Sequence, residues 1–140
     1  MKRNTKTISL TSGTVIHGQG YGRKLGFPTA NLELANSSKK LLNVPTGVYA
    51  GIATIQLSGK TYKSGIVVEP EAKGKPVKVE AHLLDFSGDL YDLELRLELQ
   101  AYVRPFLQFG TEQELIKQIR ADIALIEKIT KLLRKGSGKL

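Results

Sequence analysis

Between residues 8 and about 110 the chain alternates apolar and polar positions with the two-residue period of β-strands. SLTSGTVIHG (residues 9–18) is rich in β-branched residues and ends in glycine. TANLEL (29–34) sets Ala30, Leu32 and Leu34 on one face and Thr29, Asn31 and Glu33 on the other. GVYAGIATIQL and KTYKSGIVV, joined through Ser58-Gly59, predict a hairpin from Gly47 to Val68. EPEAKGKP reads as a polar loop, and VKVEAHLLDF alternates again. Ser87-Gly88-Asp89 predicts a turn before LYDLELRLELQAYV, where Leu93, Leu95, Leu97 and Leu99 oppose Glu94, Arg96, Glu98 and Gln100.

The period lengthens at residue 111. Thr111 and Glu114 have the spacing of a capping box, and Leu115, Ile116, Ile119, Ile123, Ile126, Ile129 and Leu133 form one helical stripe. Lys131, Arg134 and Lys135 suit the negative end of the helix dipole, and Gly136 is the expected stop. About six strands followed by one helix predict a mainly β fold, a closed antiparallel barrel with the helix packed on its side. Residues 1–135 are expected to form one domain and 136–140 a flexible tail.

Composition changes this picture in two respects. The 21 Lys and Arg outnumber the 13 Asp and Glu, a formal net charge of +8, which favours an anionic partner: nucleic acid, acidic lipid or a phosphorylated small molecule. The absence of cysteine excludes disulfides, thiolate zinc sites, iron–sulfur clusters and a cysteine nucleophile. The basic start MKRNTKTISL has no apolar stretch behind it, and no run approaches the length that spans a bilayer. A soluble, cytoplasmic protein is expected, with Asn36-Ser37-Ser38 an accidental sequon.

Several motifs fail on inspection. From Gly20 the spacing is Gly-x-Gly-x-x-Leu with no βαβ unit behind it, and no Walker sequence occurs. His17 and His82 do not form a metal-binding pair, and the aromatics are too scattered for base-stacking platforms. What survives is GQGYGRKLGFPTANLEL, residues 18–34. Gly20, Gly22 and Gly26 allow backbone to approach a phosphate closely, and Arg23 or Lys24 supplies charge. Phe27-Pro28 holds the chain extended, so Thr29 and Asn31 leave the loop side by side on one strand face, a hydroxyl and an amide suited to a hard cation and phosphates. Glu80, an ionisable group in an otherwise apolar strand, is the candidate base, with His82 on its face; Asp85 and Asp89 read as turn residues.

GRKLGFPTANLEL, TGVYAG, VEAHLLDFSGDLYD and YVRPFLQF, in that order across residues 13 to about 126, resemble the riboflavin kinase family. The resemblance implies a six-stranded antiparallel, Greek-key-like barrel with one C-terminal helix, which transfers the γ-phosphate of ATP to the ribityl 5′-hydroxyl of riboflavin to give FMN and ADP. It implies Thr29 as ligand of Mg²⁺ (or another divalent cation) and of the phosphates, with Asn31 beside it, and Glu80 as the base. The loop from Gly20 to Gly26, with Pro28, would close over the nucleotide, and Arg104 falls in the flavin-side loop. In bacteria the module is commonly the C-terminal half of an enzyme that also makes FAD. The adenylyltransferase half with its His-x-Gly-His motif does not occur here, so a stand-alone kinase or an excised domain without FAD synthesis is expected.

The sequence departs from the family where Asn-Ile-Gly-x-Arg-Pro-Thr-Phe is common: Gly65, Ile66 and Pro70 keep the register, Val67 stands at the usual glycine, and the Arg and Thr are missing. Asp92 follows Tyr91 where the family has glycine. Two other readings stay open: a catalytically silent flavin- or nucleotide-binding module, and a basic nucleic-acid-binding barrel. The scarce aromatics and intact Pro-Thr-Ala-Asn disfavour the second. The expected partners are riboflavin and ATP, with neither membrane nor nucleic acid, and the expected state is monomeric.

Overall fold

A computed structural model describes residues 7–18, 26–35, 43–69 and 77–137. They form β1 (Ser9–Ile16), β2 (Ala30–Leu34), β3 (Gly47–Ile55), β4 (Thr61–Glu69), β5 (Lys78–Leu83), β6 (Glu94–Arg104) and α1 (Glu112–Ser137). The strands close an antiparallel barrel in the order β1-β2-β5-β4-β3-β6. The expected hairpin is present, β3 and β4 pairing from Gly47↔Val68 to Thr54↔Thr61. Consecutive strands also pair as β1–β2 and β4–β5, while β1 and β3 both pair with β6, and β2 with β5, across long stretches of sequence.

Alternation fills the barrel. Leu95, Leu97 and Leu99 of β6 are fully buried and meet Ala30, Leu32, Leu34, Val79, Ala81 and Leu83 from the opposite wall. Removing such side chains from water, at roughly 25 cal/mol per Å², is the main force closing the sheet. Two glycines make closure possible: a Cβ at Gly13 would stand 2.4 Å from the Glu33 carbonyl oxygen, and one at Gly51 2.0 Å from that of Glu98.

Helix α1 covers part of the outer wall. Ala50 and Ala101 leave a shallow floor there, and Ile126 packs on it so closely that a Cβ at Gly65 would lie 2.9 Å from its Cδ1. The capping expectation is met: Thr111 Oγ1 accepts the N–H of Glu114 at 3.1 Å. Gly136 lies within the last turn instead of ending it, and the helix reaches Ser137; one glycine near a terminus costs at most about 1 kcal/mol.

The sixth strand starts later than its alternation suggested. The Leu93 N–H donates to Leu90 O at 3.1 Å, Asp89 Oδ1 accepts from the Tyr91 N–H at 2.8 Å, and Asp92 adopts φ 68°. Here is the physical sense of the family glycine at that place: the backbone is left-handed, which a side chain tolerates at a cost. Asp92→Gly is expected to stabilise the fold by about 0.5–1 kcal/mol, measured as a rise in the denaturation midpoint.

Candidate active site

The barrel register lines up one row of side chains on the outer wall. Asn31 of β2 pairs with Glu80 of β5, Glu80 with Val67 of β4, Val67 with Val48 of β3, and Val48 with Arg104 of β6. All five line a cavity of about 680 Å³ between this wall, the Phe106–Gly110 segment and the first turns of α1. Partners directly across a ladder share a face, so the row follows from pairing and needs no loop to hold it.

Thr29, just before β2, donates its hydroxyl to Glu80 Oε1 at 3.5 Å. The segment that carries it is tied down by His82, whose Nδ1–H donates to the Pro28 carbonyl at 2.7 Å while its ring meets Phe27 edge-on at 6.4 Å. This bond places the proton on Nδ1, since a carbonyl can only accept. His82 therefore acts as a strut for the loop end. Asn31 lies against the backbone at Gly18, where a Cβ would stand 2.1 Å from its Nδ2. Its Oδ1 is buried with no hydrogen-bond partner.

The pKa of Glu80 is raised above its ordinary value. Burial is the main cause and the neighbouring charge of Glu69 the next; Lys78 and the Thr29 hydroxyl pull the other way. Glu69 sits across the ladder from Lys78, and their charged groups approach to 3.5 Å. Both line the cavity. So does Val67, so that the described residue standing at the family's usual glycine lies in the cavity wall.

Arg104 is in the wall but already engaged. Its Nε donates to Asp122 Oδ1 at 2.9 Å and its Nη2 to Oδ2 at 2.8 Å, Nη1 reaches the Pro105 carbonyl at 3.0 Å, and the guanidinium lies 5.7 Å from the Phe109 ring. Asp122, 6% exposed, also accepts from Gln118 Nε2 at 2.9 Å. Arg104 thus fastens α1 to β6 and touches the segment that follows it at Pro105 and Phe109. Asp122 escaped the sequence reading, although an acid inside an isoleucine stripe is a signal; Glu69 and Lys78 escaped it because nothing local marks their pairing.

A second cavity of about 310 Å³ opens at the barrel end, between Pro28-Thr29-Ala30 and the Phe86–Tyr91 turn. Thr29 belongs to both cavities. His17 stacks on Tyr91 beside it, ring centroids 3.8 Å apart. Of the expected phosphate loop, Gly26 adopts φ 92° in the turn leading to Phe27, while Gly20, Gly22, Arg23 and Lys24 lie outside the described residues.

The donor set suits a hard divalent cation: the orphaned Asn31 Oδ1, the Thr29 hydroxyl and the Glu80 carboxylate are all oxygens. Among the described residues no three acidic, histidine or cysteine side chains cluster as a complete metal cage. Mg²⁺ usually takes one or two protein oxygens and completes its shell with phosphate and water.

A mainly β barrel carries one docked helix, and a hydroxyl, an amide and a carboxylate line one cavity, the hydroxyl also bordering the second. The riboflavin kinase family model matches residues 6–130, and the chain belongs to that family. It is 38% identical over 117 residues to the bifunctional riboflavin kinase/FMN adenylyltransferase of Pseudomonas fluorescens, covering 81% of this chain and 35% of that protein. It is 32% identical over 127 residues to an RNA-binding riboflavin kinase of Bacillus subtilis, covering 90% and 53%. The chain thus spans about a third to a half of these curated relatives. The crystal structure of riboflavin kinase from Trypanosoma brucei superposes with a TM-score of 0.68 over 91% of this chain and 84% of that one, at 23% identity, which speaks for the fold. Enzymes of this family act on riboflavin and ATP. Among the described residues no helix is long and apolar enough to cross a membrane.

Proposed function

We propose that this chain phosphorylates the ribityl 5′-hydroxyl of riboflavin with ATP, giving FMN and ADP. The observation that carries this reading is the meeting of Thr29 and Glu80 at 3.5 Å on the boundary of two cavities, one of them large and apolar-walled. The flavin lies in the larger, against Val48, Val67 and Leu115, with its ribityl chain directed at Glu80. The nucleoside lies towards the smaller, and the phosphates cross at Thr29.

In the transfer the flavin O5′ forms a bond to the γ-phosphorus as the bond from that phosphorus to the β-phosphate bridging oxygen breaks. ADP leaves with the electron pair, and the hydroxyl proton passes to the Glu80 carboxylate. Holding the reactants in line supplies much of the rate, and the base adds about 10²–10⁴-fold. The raised proton affinity of Glu80, caused chiefly by burial, makes it the better proton acceptor. Mg²⁺, held by Thr29 and Asn31, would neutralise charge on the phosphates.

Thr29→Ala is accordingly expected to raise the Mg²⁺ concentration needed for half-maximal turnover about tenfold, the worth of one good oxygen contact; a magnesium titration reads it. We read the +8 charge as serving phosphorylated ligands, the chain as a cytoplasmic monomer without nucleic-acid partners, and residues 1–135 as the functional unit. Incubation with riboflavin and Mg-ATP followed by chromatography tests the main reading. FMN formation is expected. Flavin binding without ATP consumption would instead indicate a silent module, and tight RNA binding that weakens steeply with salt would revive the nucleic-acid reading.

A further inference from the structure

Two cations among the described residues line the large cavity, Arg104 and Lys78. Arg104 is committed to a buried bidentate pair with Asp122. Lys78 is differently placed. It stands two residues before Glu80 on β5, hence on the same face and about 7 Å along the strand. Its ammonium lies 3.5 Å from Glu69 Oε2, an atom buried without a hydrogen bond, and keeps roughly half its side-chain surface open. An ammonium has three donors, and one carboxylate at that distance leaves donors to spare. Its four-carbon stem is long enough to bring the charge to the space in front of Glu80.

We propose that Lys78 is a phosphate-contacting residue of the reaction: its ammonium, steadied by Glu69, meets the phosphoryl group on the flavin side once that group leaves the nucleotide. Transfer moves two negative charges onto the flavin, in front of Glu80 and near Glu69. Without a cation on that side the product phosphate would face the Glu69 carboxylate, and that of Glu80 as well once it gives up the proton it took. Lys78 is the group positioned to offset this charge, on the same strand face as Glu80 and lining the same cavity. Glu69 then acts through Lys78 as a positioning residue, holding the ammonium at the cavity rim when no phosphate is present. No bond to Lys78 is made or broken.

The inference rests on the kinase reading above, and the test separates the two. Riboflavin and FMN differ by the phosphate alone, so their affinities, followed by flavin fluorescence, report contact with that group. For Lys78→Met, FMN affinity is expected to fall about tenfold, the equivalent of one charge-assisted hydrogen bond at a partly exposed site, with riboflavin affinity within about twofold of wild type. Lys78→Arg keeps the charge and is expected to restore most of the FMN affinity. The wild-type preference for FMN should weaken with added salt more than that of Lys78→Met. Equal losses for both flavins would reduce Lys78 to a structural role, and no loss for either would make it a solvated surface charge; both overturn the proposal. A wild-type protein that binds both flavins yet forms no FMN from riboflavin and Mg-ATP would overturn the kinase reading and leave the phosphate contact standing on the affinity data.

Discussion

Glu80→Gln is expected to lower kcat by about 10²–10⁴-fold while leaving riboflavin affinity nearly unchanged, and to make the unliganded protein more resistant to heat at neutral pH. The two effects share one cause. Burial and the charge of Glu69 hold the folded-state pKa of Glu80 above its unfolded value. Between those values the folded state binds more protons, so stability falls as pH rises through the window, and above it the ionised group is a standing cost. Glutamine is neutral at every pH and removes it. The stability gain over wild type, read by thermal unfolding, should therefore shrink as pH drops below the folded-state pKa of Glu80, where the wild-type carboxyl is already protonated. Wild-type kcat/KM should decline over that range as the base is lost. A variant with normal turnover would remove Glu80 from the chemistry.

Asp122→Ala is expected to cost about 3 kcal/mol of folding stability or more, because it strands the Arg104 guanidinium in a largely buried position. Its side-chain exposure is 16% in the pair, and among the described residues the Pro105 carbonyl is its one hydrogen-bond partner besides the carboxylate. Chemical denaturation measures the loss. Removing both charges with Arg104→Met and Asp122→Leu should cost much less than Asp122→Ala alone, since no unpaired ion remains. Equal destabilisation by the single and double variants would show that packing, and not charge, holds the helix to the wall.

Local pattern foretold local structure well. The leucine alternation of β6 named its buried face, and the hairpin from Gly47 to Val68 needed only its turn signal. Thr29, Asn31 and Glu80 stood out through their place in the long family motifs, since a polar residue on a half-buried strand is ordinary; the ladder sets Asn31 beside Glu80, and the Thr29 hydroxyl reaches the same carboxylate. The pairing of β2 with β5, distant in sequence, could not be read from period or propensity, because those describe neighbours along the chain. For the same reason Glu69 opposite Lys78, and Arg104 against Asp122, emerged only from the closed barrel. Leu90 to Leu93 looked like strand but is bent by the Asp89 side chain and the left-handed Asp92. Turn chemistry there overrides alternation.

The straight row from Asn31 through Glu80 and Val67 to Arg104 fixes distances in a way few loops can. Lengthening a connection between strands leaves every interval in that row unaltered, whereas sliding one strand by a single residue would send Glu80 into the oily interior and turn Val79 outward. Evolution is therefore free to vary the connectors and has almost no freedom in how the strands are threaded.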